Sequence, residues 1–141
     1  MGQVGDVIVV NAGSDLNASV CGCLIGGLVM NQGIWAMFVG GADRYMDELE
    51  EIKWPIWVSA ITPRGAHTIF SGRIEELSIN VPIQCGRTIV SPVDFIVADL
   101  MGVTVIPLST AEGGVEKARE QGVREVGTRE WVNKEIPLKI C

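Results

Sequence analysis

The stretch of residues 34–52 constrains the fold most strongly, because an apolar run, two glycines and a highly charged segment follow one another directly. Residues 34–39 have the length and composition of a buried β-strand. Gly40 and Gly41 predict a tight turn after that strand. A helix is expected next, with Asp43 as its N-cap and with apolar residues at helical spacing: Met46, Leu49 and Ile52.

Arg44 is the candidate functional residue of this stretch, because the same prediction places it in the first turn of the helix. A cation there opposes the helix dipole, whose positive end also carries unpaired N–H groups. Arg44 therefore needs a negatively charged partner. Two alternatives remain open: a salt bridge with Asp47 or Glu48, or a bound anion.

Length and charge limit the classes of function. A chain of 141 residues corresponds to one domain with a single core. Lys and Arg total 11 against 17 Asp and Glu, a formal net charge of −6, which argues against nucleic acid as a partner. The longest uncharged apolar stretch, residues 18–30, is too short to cross a bilayer, and no secretory signal is visible. No membrane partner and a cytoplasmic location are expected.

The four cysteines, with His67 as the only histidine, fit neither a disulfide framework nor a zinc site. Cys21 and Cys23 form a C-x-C pair within an apolar segment, where packing is the commoner role of such residues. Reduced thiols are predicted, and a redox role for the pair is the alternative.

The N-terminal part predicts a buried strand over residues 6–10 and a helix over residues 18–31. The candidates for its cap are Ser14, Asp15 and Asn17. Three glycines weaken this helix: Gly22, Gly26 and Gly27. Close packing of the helix on the sheet accounts for Gly26 and Gly27, whereas Gly22, near the helix start, is the glycine assigned to function.

The second half of the core is predicted to be mostly β. Short strands are expected over residues 56–58, 79–83, 87–90, 95–98 and 103–106, and a turn is expected over residues 63–66. Between residues 111 and 125 charges surround a thin apolar stripe, so the expected helix lies exposed or covers a neighbouring subunit. Apolar residues of the tail are expected to dock: Trp131, Ile136, Leu138 and Ile140. The predicted organisation is a core over residues 1–110 and a C-terminal helix with a docking tail over residues 111–141.

A series of short motifs resembles the RraA-like family, which includes 4-hydroxy-4-methyl-2-oxoglutarate aldolases, oxaloacetate decarboxylases and the protein regulator of ribonuclease E. The motifs run in family order: Gly5-Asp6-Val7-Ile8-Val9-Val10, Gly22-Cys23-Leu24-Ile25, Gly41-Ala42-Asp43-Arg44, Pro63-Arg64-Gly65-Ala66, Val81-Pro82-Ile83, and Pro92-Val93-Asp94 with Ala98-Asp99. The resemblance implies an α/β fold, an RraA-like sandwich of the swivelling β/β/α type. It also implies a homo-oligomer, a trimer as in the family.

The active members of this family have a Mg²⁺ or Mn²⁺ ion and an anion cradle at a subunit interface. The ion polarises the carbonyl of a 2-oxo acid and stabilises the enolate left when a carbon–carbon bond breaks. The resemblance implies that Arg44 is the catalytic and substrate-binding cation. It assigns the backbone N–H groups that hold the carboxylate to the helix start at Gly22, Cys23, Leu24 and Ile25.

The departures from the family pattern fall on the metal site. Tyr45 stands where the aldolases have a metal-binding Asp after the Arg, and Cys23 replaces the acid of the cradle. A phenol and a thiol are poor ligands for a hard, oxygen-preferring ion. No metal ligand is therefore assigned, and Mg²⁺ or Mn²⁺ is a cofactor only if the family activity is retained. The αβ segment that family members place before Gly5 is expected to be missing.

Two functions follow from the resemblance. The first is a non-catalytic binding or regulatory member with a protein partner and with a small 2-oxo acid or dicarboxylate as ligand. The alternative is a divalent-metal-dependent carbon–carbon lyase, an aldolase or decarboxylase acting on 4-hydroxy-4-methyl-2-oxoglutarate or oxaloacetate. A demethylmenaquinone methyltransferase is disfavoured, because no glycine-rich nucleotide-binding turn is visible.

Overall fold

The computed structural model describes residues 2–13, 15–65 and 78–132 of the chain. It divides into two compact units, Met1–Pro92 and Val93–Cys141. The boundary expected near residue 110 stays a prediction.

A three-stranded parallel sheet forms the centre of the first unit, in the order β1 (Val7–Asn11), β2 (Ala36–Asp43), β3 (Ile56–Ile61). Parallel neighbours require crossover connections. Along the chain, the connection from β1 to β2 contains helix α1 (Cys23–Asn31), and the connection from β2 to β3 contains helix α2 (Met46–Glu51). Every residue of β2 is buried, and this strand is paired along both edges. The predicted mixed α/β architecture is confirmed.

The two glycines after the apolar run do not form the predicted turn. Gly40 and Gly41 continue β2, which runs on to Asp43. A Cβ atom on Gly41 would lie 2.5 Å from Ala12 Cβ, and one on Gly40 would lie 3.0 Å from Cys85 Sγ. Their missing side chains thus permit the close approach of neighbouring segments rather than a change of chain direction.

Both predicted helix starts are corrected. Helix α1 begins at Cys23 and not at residue 18, with Gly22 as its N-cap and without a side-chain cap. Of the candidate caps, Asp15 accepts a hydrogen bond from the Asn17 N–H within the preceding loop, and Ser14 lies outside the described residues. Helix α2 begins at Met46 with Tyr45 as its N-cap, because Asp43 is still part of β2.

The core of this unit lies between the sheet and the two helices. Its buried members are Cys21, Ile34, Met37, Val39, Leu49 and Trp54. A Cβ atom on Gly26 would meet Leu49 Cδ2 at 2.8 Å and Trp54 Cζ3 at 3.3 Å, so this glycine lets α1 approach α2 closely. Gly27 has no atom within 4 Å of its Cβ position. The packing explanation therefore holds for Gly26, with α2 and Trp54 as the contacts, and fails for Gly27.

A short antiparallel pair, β4 (Ile83–Cys85) and β5 (Thr88–Val90), completes the described part of the first unit. The strand expected over residues 79–83 is limited to its last residue. The turn expected at residues 63–66 lies partly outside the described residues.

The second unit consists of an antiparallel hairpin and a long helix. Strands β6 (Phe95–Asp99) and β7 (Gly102–Ile106) pair with each other, and helix α3 (Ala111–Val132) follows a single 3₁₀ turn. Most side chains of α3 are exposed in this chain, and the alternative that the helix covers a neighbouring subunit stays a prediction. Trp131 at its end is 45% exposed, and the remaining docking residues of the tail lie outside the described part. Among the described residues, no helix is long and apolar enough to span a bilayer.

Candidate functional site

The segment before α1 is held by backbone hydrogen bonds to two other segments. The Ser19 N–H donates to the Arg64 carbonyl at 2.8 Å, and the Val20 N–H donates to the Ala42 carbonyl at 3.0 Å. Ser19 also forms isolated bridges to Ala42 and Gly65. These pairings bring three sequence-distant pieces together at the carboxyl end of β2: the segment before α1, the last residues of β2, and the loop after β3.

The side chain of Arg44 lies between two glycines at this junction. A Cβ atom on Gly65 would be 2.9 Å from Arg44 Nη1, and a Cβ atom on Gly22 would be 3.7 Å from Arg44 Nε. Gly22 and Arg44, assigned to one site from the sequence, therefore lie side by side. The Arg44 Nε atom is buried and has no hydrogen-bond partner among the described residues.

Tyr45 covers the guanidinium from another side. The Arg44 Cζ atom lies 4.7 Å from the centroid of the Tyr45 ring, a cation–π distance. The Cβ position of Gly22 is 3.3 Å from Tyr45 Cδ2, so Gly22 leaves room for this ring as well. Tyr45 has φ of 58°, in the left-handed region that non-glycine residues rarely adopt. The backbone strain thus falls on the residue that contacts the candidate cation.

A pocket of about 490 Å³ opens beside this pair. Its lining comes from the turn into α2 and from the end of β3 with the loop after it: Arg44, Tyr45, Met46, Asp47, Ile61, Thr62 and Pro63. Two segments about fifteen residues apart in sequence form its walls because β2 and β3 are neighbours in the sheet. Arg44 thus lines a pocket whose volume is in the range of small-molecule sites.

Asp43 lies directly beneath this junction and is completely buried. Its Oδ1 accepts a hydrogen bond from the Arg44 N–H at 2.8 Å and lies 3.1 Å from Ser19 Oγ, while Oδ2 has no partner among the described residues. The Ser19 hydroxyl also donates to the Cys21 carbonyl. Because a hydroxyl has one proton, the Ser19 hydroxyl donates to the Cys21 carbonyl or to Asp43, but not to both at once.

The environment of Asp43 raises the pKa of its carboxyl group. Burial raises the pKa of Asp43 above its ordinary value, and this effect exceeds the opposing hydrogen bonds from the Arg44 N–H and the Ser19 hydroxyl. The predicted N-cap is therefore a buried acid that fixes the backbone of Arg44 instead.

The other predicted cradle residues lie outside the described lining of the pocket. Cys23 is a free thiol beside the Glu48 carboxylate, whose hydrogen bonding raises the pKa of the Cys23 thiol. The Leu24 and Ile25 side chains are 82% and 49% exposed. The structure thus brings Gly22 and Arg44 together, whereas residues 23–25 belong to the first turn of α1. Their N–H groups remain the predicted anion cradle.

The residues at the family's metal positions do not fit a divalent ion. The Tyr45 phenol ring packs on a cation, and the Cys23 thiol faces a carboxylate outside the described pocket lining. Within residues 2–13, 15–65 and 78–132, no group of three or more His, Cys, Asp or Glu side chains could hold a metal. Mg²⁺ and Mn²⁺ require several oxygen ligands around one point.

Sequence reasoning missed several parts of this site. Gly65 was recognised only as a turn residue, although it borders the guanidinium, and Ser19 was not singled out. Ile61 and Thr62 of the pocket wall were also missed. The motif that contains Gly65 was the one available signal, because a glycine within a family motif can mark a close approach to another group.

The fold and the site define a mixed α/β protein with an arginine-centred pocket, and similarity to known proteins gives the family. The family model described as RraA-like, Aldolase/RraA, matches residues 1–105. The chain belongs to the RraA-like family, as its motifs predicted.

Two bacterial relatives carry the name "Putative 4-hydroxy-4-methyl-2-oxoglutarate aldolase". The protein from Halalkalibacterium halodurans is 35% identical over 117 residues, which are 83% of this chain and 53% of that protein. The protein from Deinococcus radiodurans is 31% identical over 102 residues, which are 72% of this chain and 61% of that protein. The chain thus spans a little over half the length of these two relatives.

Solved structures support the same fold. A protein from Pseudomonas syringae pv. tomato, described as uncharacterized, superposes with a TM-score of 0.85 at 21% identity, over 96% of this chain and 66% of that chain. Streptomyces coelicolor RraAS2, described as an unusual member of the RNase ES inhibitor RraA protein family, has a TM-score of 0.78 at 28% identity, over 90% of this chain and 63% of that chain. The family fold therefore extends over most of this chain.

Proposed function

We propose that this chain is a non-catalytic binding or regulatory member of the RraA-like family, which holds a small carboxylate ligand through Arg44 without a divalent ion. One observation carries the proposal: the side chain at the family's metal position, Tyr45, stacks on the Arg44 guanidinium. The residue that would hold an ion in an aldolase thus supports the ligand-binding cation here.

The chemistry of the donor groups supports this proposal. Loss of the two family acids leaves the Tyr45 phenol and the Cys23 thiol at these positions, and neither is a carboxylate ligand. Magnesium and manganese prefer carboxylate and water oxygens. Arg44 needs no ion, because a guanidinium can bind a carboxylate with two parallel hydrogen bonds.

A regulatory role is supported by surface composition and by one relative. RraAS2 is described as belonging to an RNase ES inhibitor family. The net charge of −6 favours a protein partner over RNA. Large apolar side chains are exposed on two elements, which suits burial in a homo-oligomer, proposed as a trimer, or against a protein partner. They are Leu24 and Leu28 on α1, and Leu100 and Met101 in the β6–β7 turn.

The second candidate is a carbon–carbon lyase acting on a small 2-oxo acid, with Mg²⁺ or Mn²⁺ as its cofactor. It is favoured by the names of the two relatives. In this candidate Arg44 and the N–H groups at the start of α1 would orient the carboxylate, and the ion would supply polarisation of the carbonyl. It requires metal ligands beyond those in the described residues.

Metal titration separates the two candidates. We expect calorimetric titration of Mg²⁺ and Mn²⁺ to give weak or no binding to the unmodified protein, and measurable binding to a variant that carries Tyr45→Asp and Cys23→Asp. The variant returns two carboxylates, which are hard oxygen ligands. Tight magnesium binding by the unmodified protein, together with metal-dependent release of pyruvate from oxaloacetate, would contradict the proposal and support the lyase.

A further inference from the structure

The pocket beside Arg44 contains one charge of each sign. Among the described residues that line it, Arg44 is the only cation and Asp47 is the only anion. Asp47 is in the first turn of α2 and its side chain is exposed. A ligand carboxylate that pairs with Arg44 neutralises the one positive charge, so a second carboxylate finds no cation in this lining and is repelled by Asp47.

The remaining wall is largely apolar. Tyr45 and Ile61 are 45% and 68% exposed, and Met46 and Pro63 lie with them around the pocket. Thr62 is the one uncharged hydroxyl group of the lining besides the Tyr45 phenol. Exposed apolar side chains around a cation favour a ligand that is charged at one end and apolar at the other.

We infer that the Arg44 pocket selects monocarboxylates with a short apolar tail, such as branched 2-oxo monoacids, over dicarboxylates, and that Asp47 is the residue that excludes the second carboxylate. This inference rests on the proposed function, because it assumes that Arg44 binds a carboxylate. It narrows the ligand class for the same site, because the sequence alone leaves both a 2-oxo acid and a dicarboxylate as possible ligands.

Two probes of similar size test the selection. Calorimetric titration in metal-depleted buffer would compare 4-methyl-2-oxopentanoate, which ends in an isopropyl group, with 2-oxoglutarate, which ends in a carboxylate. We expect the monoacid to bind at least about tenfold more tightly than 2-oxoglutarate. A difference of this size corresponds to the repulsion between two unit charges near a protein surface. Raising the salt concentration should narrow the difference, because it screens the repulsion.

The role of Asp47 has its own variant and its own control. Asp47→Asn should raise the affinity for 2-oxoglutarate about fivefold or more and leave that for 4-methyl-2-oxopentanoate nearly unchanged. Glu50→Gln is the matched control, since it removes the same charge from α2 at a position outside the described lining. It should change neither affinity by more than about twofold.

The outcomes distinguish this inference from the proposed function. If both probes bind equally and Asp47→Asn changes nothing, while Arg44→Ala abolishes binding, the selection is wrong and the carboxylate site stands. If neither probe binds, or if binding survives Arg44→Ala, the proposed function fails and the inference fails with it. Preference for the monoacid, lost on Asp47→Asn and kept in Glu50→Gln, supports the inference.

Discussion

Tyr45 combines a strained backbone with a contact to the candidate ligand-binding cation. Its φ of 58° lies in the left-handed region, which costs a non-glycine residue about 1 kcal/mol or more. Its ring lies 4.7 Å from the Arg44 Cζ atom, an arrangement that stabilises a cation by about 0.5–1 kcal/mol at an exposed site. Strain that coincides with such a contact is a reason to assign the ring a part in ligand binding.

Two substitutions of Tyr45 should distinguish the contribution of its ring to ligand binding from that of its strained backbone. Tyr45→Phe keeps the stacking, and we expect pyruvate affinity to change by less than about twofold. Tyr45→Asn removes the ring but tolerates the left-handed conformation, so the fold should stay intact while pyruvate affinity falls about threefold to fivefold. Calorimetry with a melting curve for each variant provides the measurement. Equal affinity of Tyr45→Asn and wild type would restrict the ring to a structural role.

Asp43 makes stability depend on pH. Its raised pKa means that the folded state holds the proton more strongly than the unfolded state does. The resulting contribution to stability is fully present below about pH 4, the ordinary range of an aspartate, and is lost as pH rises through the higher pKa of the folded state. This dependence of stability on pH has the opposite sign to that of a salt-bridged aspartate, whose contribution to stability is lost as pH falls.

Replacing Asp43 with Asn should remove this pH dependence. The amide oxygen of Asp43→Asn can still accept the hydrogen bond from the Arg44 N–H, and it cannot ionise. We expect the melting temperature of the variant, relative to wild type, to increase between pH 4 and pH 7. Asp47→Asn, on an exposed side chain, is the control. A relative melting temperature that falls over this range would mean that the native fold stabilises the Asp43 carboxylate.

The role of Asp43 could not be predicted from its position in the sequence. An aspartate between an apolar run and a helical pattern is a normal N-cap, and its actual neighbour Ser19 is 24 residues away. Arg44 was found because its charge conflicted with the predicted helix dipole, although the structure places it before the helix and not within it.

Among the secondary-structure elements, most strands were predicted more accurately than the helix starts. The apolar runs at β1, β3, β6 and β7 were recognised from their composition. Residues 18–22 were assigned to α1 because an apolar stretch is compatible with both a helix and a buried extended segment. Tertiary pairing with Ala42 and Gly65 decides in favour of the extended form.

Gly41 in β2 and Gly27 in α1 form a matched pair that tests whether the glycines of β2 permit the close approach of neighbouring segments. Gly41→Ala places a Cβ atom 2.5 Å from Ala12 Cβ, and we expect it to lower the free energy of unfolding by about 1–3 kcal/mol. Gly27→Ala meets no atom within 4 Å in the middle of a helix. It should raise the free energy of unfolding by up to about 1 kcal/mol. Chemical denaturation measures both, and similar effects of the two variants would contradict the account of β2.

At the scale of the whole molecule, the family and the mixed α/β fold were predictable, because several short motifs occur in a fixed order. The pocket was not predictable. Its walls come from the turn into α2 and from the end of β3, and only the sheet brings these segments together. The order of strands in that sheet depends on pairings that local patterns do not encode.

Titration of pyruvate into wild type and Arg44→Ala shows whether Arg44 binds a carboxylate without a metal ion. Each titration is done in metal-depleted buffer and again with Mg²⁺, with Arg119→Ala on the exposed face of α3 as the charge-matched control. We predict equal wild-type affinity in both buffers, at least about a tenfold loss in Arg44→Ala, and no loss in the control. Wild-type binding only with Mg²⁺, or equal binding by Arg44→Ala, would contradict the claim.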